Sequence, residues 1–222
     1  MPELRRQEAV YVLDLGSDEN RFAPDWVAGV RAAVAEVTAA PAPRALVTAA
    51  TGKFWSNGLD LEWMAAHPDQ IPGFVGAVHE LFAEVLEAGV PTVAAVQGHC
   101  FAAGAMLAAA HDRIVMRADR GFYCLPEADI GIPFTPGMTA LLLARLPRGA
   151  AHEAMTTARR YGGGEAMAAG LVHDTAPEDE LLHRAVQWAA GQAGKNPDTL
   201  GAIKQRMYAS ALQALRGSQG FE

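Results

Sequence analysis

"QGHCFAAGAMLAAAHD", Gln97–Asp112, opens with polar and small side chains and continues into an alanine-rich run that reads as a helix. Ala102, Ala103 and Gly104 stand at the junction, where larger side chains would pack better. Small residues let another group come close to the backbone, and the first N–H groups of a helix have no acceptor within it. Two readings follow: close packing of this helix on a neighbour, or an amide left free for a bound oxygen.

Outward from this stretch, short apolar runs alternate with helical patterns. Upstream, "VPTVAAVQG" (90–98) reads as a strand and "IPGFVGAVHELFAEVLEAG" (71–89) as a helix. Phe74, Val78, Leu81, Phe82 and Val85 line one side of that helix, and Gly89 is its stop signal. Further upstream, the runs 9–16 and 44–50 bracket a helical stretch, 24–40, in which Val27, Val30, Val34 and Val37 recur at three- and four-residue steps. Downstream, "RIVMRAD" (113–119) and "GFYCL" (121–125) read as strands, and "PGMTALLLARLP" (136–147) as a helix entered through a proline. This order predicts an α/β fold with parallel strands. After "GLVHD" (170–174) strong helix formers take over, divided by Gly194 and Asn196-Pro197, which predicts two further helices. The second carries Leu200, Ile203, Met207, Ala211 and Leu215 at helical spacing, the pattern of a packing face. Residues 1–175 are therefore expected to form the core and 176–222 a C-terminal helical appendage.

Half of the 222 residues are hydrophobic, enough for a sizeable core. Acidic residues outnumber basic ones 25 to 18, a formal charge of -7 that argues against a nucleic-acid surface built from clustered cations. Cys100 and Cys124 form no C-x-x-C pair and no zinc-spaced cluster with histidines, so no metal site and a reduced, cytoplasmic setting are expected. No stretch reaches the roughly 18 consecutive apolar residues of a membrane span. The start "MPELRRQEAVYVLDLG" lacks the apolar run of a secretory signal. A soluble chain without membrane partners is the expectation.

Three segments carry chemistry. In "ATGKFWSNGLDL" (50–61) Gly58 can adopt positive φ, and Asp60 is placed to cap a helix. "TGK" is no phosphate loop, because the upstream glycine is missing and Phe54 follows the lysine. The alanine-rich stretch reads either as close helix packing or as the source of a free amide, and one such donor from each of these two segments converging on one oxygen would make an oxyanion hole. In "FYCLPEADIGIPFTPG" (122–137), Glu127 has apolar neighbours, which raise a carboxyl pKa and suit it to proton transfer near neutrality. Asp129 reads as a turn or capping residue, and His111, beside Asp112, as a cation suited to a helix end.

In this order and at these separations, "KFWSNGLDL", "VQGHCFAAGAMLAAAHD", "LPEADIGIPFTPG" and "TARRYGGGEAMAAGLVHD" resemble the enoyl-CoA hydratase/isomerase (crotonase) family. The likeness is greatest to its Δ3,Δ2-enoyl-CoA isomerase branch, through the "SNGxDL" turn and the "GHxxAAG" stretch. It implies a spiral of β-β-α turns completed by C-terminal helices, in trimers or hexamers. It also implies that the amides of Leu59 and Ala103 hold the thioester carbonyl of an acyl-CoA. Arg21, Phe22 and Ala23, with Ser56, Asn57 and Asp60, would lie near the CoA moiety, and His99 near the pocket.

Family hydratases use two glutamates; here the first position is Met106 and the second is Glu127. A thioether cannot shuttle a proton, so the resemblance implies an isomerase of fatty acid oxidation working with one carboxylate. No cofactor is implied, since CoA enters as part of the substrate. The alternatives are a hydratase, or another acyl-CoA enzyme, that recruits Asp129 or an ordered water, and a non-catalytic acyl-CoA binder or assembly subunit.

Overall fold

The computed structural model describes residues 2–217. Its large sheet holds β1 (Glu3–Gln7), β2 (Val10–Asp14), β3 (Ala45–Ala49), β5 (Thr92–Val96), β7 (Arg113–Arg117) and β9 (Asp174–Ala176), side by side in that order. The β1–β2 pair is antiparallel and every other pair in the sheet is parallel. A second, small parallel sheet holds β4 (Phe54–Ser56), β6 (His99–Phe101) and β8 (Tyr123–Cys124). Between them run α1 (Pro24–Ala39), α2 (Leu61–Ala66), α3 (Ile71–Glu87), α4 (Ala103–Ala110), α5 (Glu127–Ile130), α6 (Pro136–Arg145), α7 (Arg148–Thr157) and α8 (Gly163–Ala168). Three times in succession the chain lays one strand in the large sheet, the next in the small sheet, and then turns into a helix. That repeat is the β-β-α spiral.

The large sheet is covered on both faces, which is why β3 and β5 are buried along their whole length and apolar but for Thr48 and Thr92. Tyr11, Leu13, Leu46, Ala94 and Val96 face the main core with α1, α3 and α4. Their neighbours Val10, Val12, Val47, Val93 and Val115 face the other way. There they meet Leu181, Ala185 and Ala189, at four-residue steps on α9 (Glu178–Gln192).

The C-terminal region departs from the two helices expected. After α9 come α10 (Pro197–Met207) and α11 (Ala209–Gly217), broken at Tyr208. The expected stripe is split by this break: Ile203 and Met207 are 52% and 61% exposed, while Lys204, Tyr208, Ala211, Leu212 and Leu215 are buried. Lys204 turns inward because Asp112 and the Val90 carbonyl await its ammonium, at 2.7 and 3.0 Å. Arg145 holds the Tyr208 hydroxyl, and α11 then packs across α6 and α3. Residues 218–222 of the expected appendage lie outside the described residues. Among the described residues no helix is long and apolar enough to cross a membrane.

Candidate active site

The turn after β4 is held by an unusually complete set of hydrogen bonds. Ser56 Oγ donates to the Asn20 carbonyl at 2.8 Å and accepts from the Gly58 amide at 3.1 Å. The Asn57 amide donates to the Glu19 carbonyl at 2.9 Å, and the Asp60 amide to the Phe22 carbonyl at 3.0 Å. Gly58 accepts from the Phe22 amide at 2.8 Å, which bridges Phe22 to Leu59 in parallel register. Leu59 alone in this turn keeps an amide that no protein acceptor among the described residues takes.

The second amide comes from the start of α4. Ala102 has φ 50° and ψ −126°, a conformation that costs an alanine about 1–3 kcal/mol and persists only where its surroundings hold it. They do so here: its amide donates to the Cys124 carbonyl at 3.0 Å, and its carbonyl accepts from Met106 at 3.1 Å. The amide of Ala103, the first helical residue, is left without a protein acceptor among the described residues. Both readings of this stretch hold. Gly104 is a packing contact, since a Cβ there would stand 2.8 Å from Ser56 Cβ, while Ala103 offers a free donor.

Gly58 brings the two amides together. Its φ is +81°, and a Cβ on it would lie 2.8 Å from Ala102 Cβ and 3.1 Å from the Ala103 nitrogen. Leu59 and Ala103 consequently share a wall of one cavity of about 210 Å3.

Glu127 lies in the same cavity. It follows Pro126 as the first residue of α5 and is 6% exposed, with Oε2 unpaired. Burial raises its carboxyl pKa to about 7, its own backbone amide opposing the shift only in part. Met106, sealed on α4, lines the cavity too, and Asp129 is exposed and does not. Among the described lining residues Glu127 is the one carboxylate; Leu61, Phe101, Ile130, Ile132 and Met138 are apolar. A lone buried carboxyl thus shares a largely apolar chamber with two N–H donors that have no protein acceptor among the described residues.

The other residues singled out by the sequence divide into lining and support. Arg21 and Asn57 line the cavity, both tied to Glu19: Arg21 Nε donates to its Oε2 at 2.5 Å and Asn57 Nδ2 at 3.0 Å. Phe22, Ala23, Ser56 and Asp60 do not line it. Phe22 is sealed in the core, stacked on Trp26 at 4.5 Å. Ala23 is the residue preceding α1, Ser56 is wholly buried in its hydrogen bonds, and Asp60 caps α2 by accepting from the Trp63 amide. His99 also lies outside the lining, half-buried among Phe54, Phe101 and Phe122, its pKa lowered by burial and the nearby cations.

His111 corrects the sequence reading of a helix-end cation. It is sealed, with Nδ1 on the Leu107 carbonyl and Nε2 on Thr48 Oγ1, and burial lowers its pKa to about 4, so it is neutral at pH 7.

Sequence reasoning missed Asn20, whose Nδ2 donates to the Trp55 carbonyl at 3.1 Å while its carbonyl takes Ser56 Oγ, fixing β4 and the turn. Its signal is a buried asparagine with φ 48°. Met138 was missed because it reads as an ordinary core residue. Among the described residues no group of three or more His, Cys, Asp or Glu is placed to hold a metal ion.

Comparison with known proteins agrees with this geometry. The family model described as Enoyl-CoA hydratase/isomerase matches residues 5–221. Enoyl-CoA delta isomerase 3 of Arabidopsis thaliana is 32% identical, covering 94% of this chain and 92% of its own. Carnitinyl-CoA dehydratase of Escherichia coli K12 is 34% identical over 72% of this chain and 61% of its own. The apo structure of an enoyl-CoA isomerase from Mycobacterium tuberculosis superposes with a TM-score of 0.88 at 27% identity, covering 97% of this chain and 94% of that one. With the spiral, the paired amides and the buried glutamate in place, the chain belongs to the enoyl-CoA hydratase/isomerase (crotonase) family.

Proposed function

We propose that the protein is a Δ3,Δ2-enoyl-CoA isomerase that moves its proton with Glu127 alone. The observation that carries this reading is the single unpaired carboxyl of Glu127 in an apolar cavity that also holds Met106. The substrate carbonyl accepts from the Leu59 and Ala103 amides. Glu127 removes a proton from C2 of a 3-enoyl-CoA, the amides stabilise the dienolate oxygen, and the carboxyl returns the proton at C4. A pKa near 7 lets one group act as base and then as acid at neutral pH. Arg21 and Asn57, at the rim, meet the CoA portion. A hydratase needs a second group to activate water, and the exposed Asp129 is outside the cavity.

Purified protein given a 3-enoyl-CoA is expected to yield the 2-trans-enoyl-CoA, with no matching hydration of a 2-enoyl-CoA. Efficient water addition that survives Glu127→Gln would contradict the reading. Binding of acyl-CoA with no turnover of either substrate would favour the non-catalytic alternative. The trimer or hexamer expected from the family likeness is checked by sedimentation velocity on the same preparation.

The amide pair has its own test. In Gly58→Ala the new methyl forces the turn away from Ala102 and the Ala103 nitrogen, in a backbone region unfavourable to alanine. Misplacing one oxyanion donor is expected to lower kcat by about 10²–10³. An unchanged kcat would remove the turn from the mechanism.

A further inference from the structure

Met138 stands in the first turn of α6 and lines the cavity from its buried side, being 2% exposed. Among the described lining residues Leu61, Ile130 and Pro133 are exposed to solvent, whereas Met138 is sealed. Nothing behind Met138 lets its helix retreat: a Cβ on the adjacent Gly137 would stand 2.8 Å from Leu215 Cα and 3.1 Å from the Ala214 carbonyl oxygen, so α6 rests directly on α11. The start of α6 is pinned as well. Thr135 Oγ1 accepts from the Met138 amide at 3.1 Å and hydrogen-bonds to His79 Nε2 at 2.9 Å, while His79 Nδ1 meets the Leu215 carbonyl at 3.1 Å. Met138 therefore forms a floor braced from two directions.

The size of the chamber then bears on substrate length. An apolar cavity of about 150 Å3 takes up benzene, so six carbons serve as a scale. On that scale the 210 Å3 here receives about eight or nine heavy atoms. The thioester sulfur, the carbonyl oxygen and C1 to C4 use six of these, leaving room for two or three carbons.

Resting on the isomerase reading, we infer that Met138 is the specificity-determining residue for acyl length and restricts good substrates to short chains of about six or seven carbons. Met138→Ala removes three heavy atoms from the floor and extends the chamber. Met138→Phe fills it. Both residues fit a helix, and the two changes act in opposite directions on one quantity.

The test is kcat/KM for 3-enoyl-CoAs from about six to about twelve carbons, for the wild type and both variants. One methylene in an apolar pocket changes kcat/KM by roughly tenfold or more. The wild type is expected to fall off by at least that factor beyond about seven carbons. Met138→Ala should move the fall outward by about two to three carbons, and Met138→Phe should move it inward. If all three turn over the shortest substrate and share one length profile, the inference is overturned while the isomerase reading stands. If the wild type turns over no enoyl-CoA, the isomerase reading fails instead. Calorimetric binding of saturated acyl-CoAs over the same lengths then decides Met138: a cut-off displaced in opposite directions by the two variants supports it, and a common cut-off overturns it.

Discussion

Glu127→Gln is expected to lose about 10²–10⁴ in isomerase kcat and to gain stability at alkaline pH. Glutamine keeps the shape of the carboxyl but carries no proton to exchange, so the loss falls on the chemical step. The stability gain follows from the raised pKa. The fold holds the Glu127 proton up to about pH 7, whereas the ordinary value is 4.5. Its contribution is thus fully present below about pH 4.5, declines as the pH rises, and is lost above about pH 7. Glutamine never ionises. Wild type and variant should match in acid and diverge by about 3 kcal/mol above pH 8, at about 1.4 kcal/mol per pKa unit. Urea unfolding at both extremes measures this. Equal stability at alkaline pH would mean that the carboxyl ionises as freely in the fold as in water.

Asp112→Ala is expected to destabilise the fold by about 3–5 kcal/mol, because it strips the counter-charge from a sealed cation. Lys204 is 2% exposed, and among the described residues its ammonium meets Asp112 and the Val90 carbonyl. Asp112 is better served. Its Oδ2 also accepts from the Thr92 amide at 2.8 Å and Thr92 Oγ1 at 3.2 Å, so Lys204→Met should cost less than Asp112→Ala. The double variant should recover much of the loss, since neither charge is then stranded. Denaturant midpoints of the four proteins form a complete cycle. Strictly additive losses would show that the pair is not coupled. The pair also ties α10 to the end of α4, and through α11 it supports the wall that carries Met138.

Much of this arrangement was legible in the sequence, for reasons that differ by residue. The junction at Ala103 and the turn at Gly58 were readable because close backbone approach and positive φ demand small side chains whatever surrounds them. β2, β3, β5 and β7 of the large sheet were readable because strands buried on both faces are mostly apolar. β4, β6 and β9 were not, since strands of three residues are too short to display a period, whereas β8 fell inside the run 121–125 that reads as a strand. β1 was missed because "ELRRQ" is a charged edge strand with almost no buried face. Lys204 escaped because lysine at helical spacing ordinarily marks the solvent side, and its partner lies 92 residues away. Met138 escaped as well, whereas Met106 was singled out only through the family likeness. A methionine lining a substrate chamber and one filling a core carry the same signal until the fold places them.

The most direct measurement follows a deuterium label. A 3-enoyl-CoA deuterated at C2 is converted in ordinary water, and the product is examined at C4. With one buried carboxyl carrying the proton across an apolar cavity, part of the label should reappear at C4, and Glu127→Gln should lower turnover by about 10²–10⁴ and abolish transfer. Label lost wholly to solvent, together with turnover that persists undiminished in Glu127→Gln, would contradict a single-carboxylate mechanism.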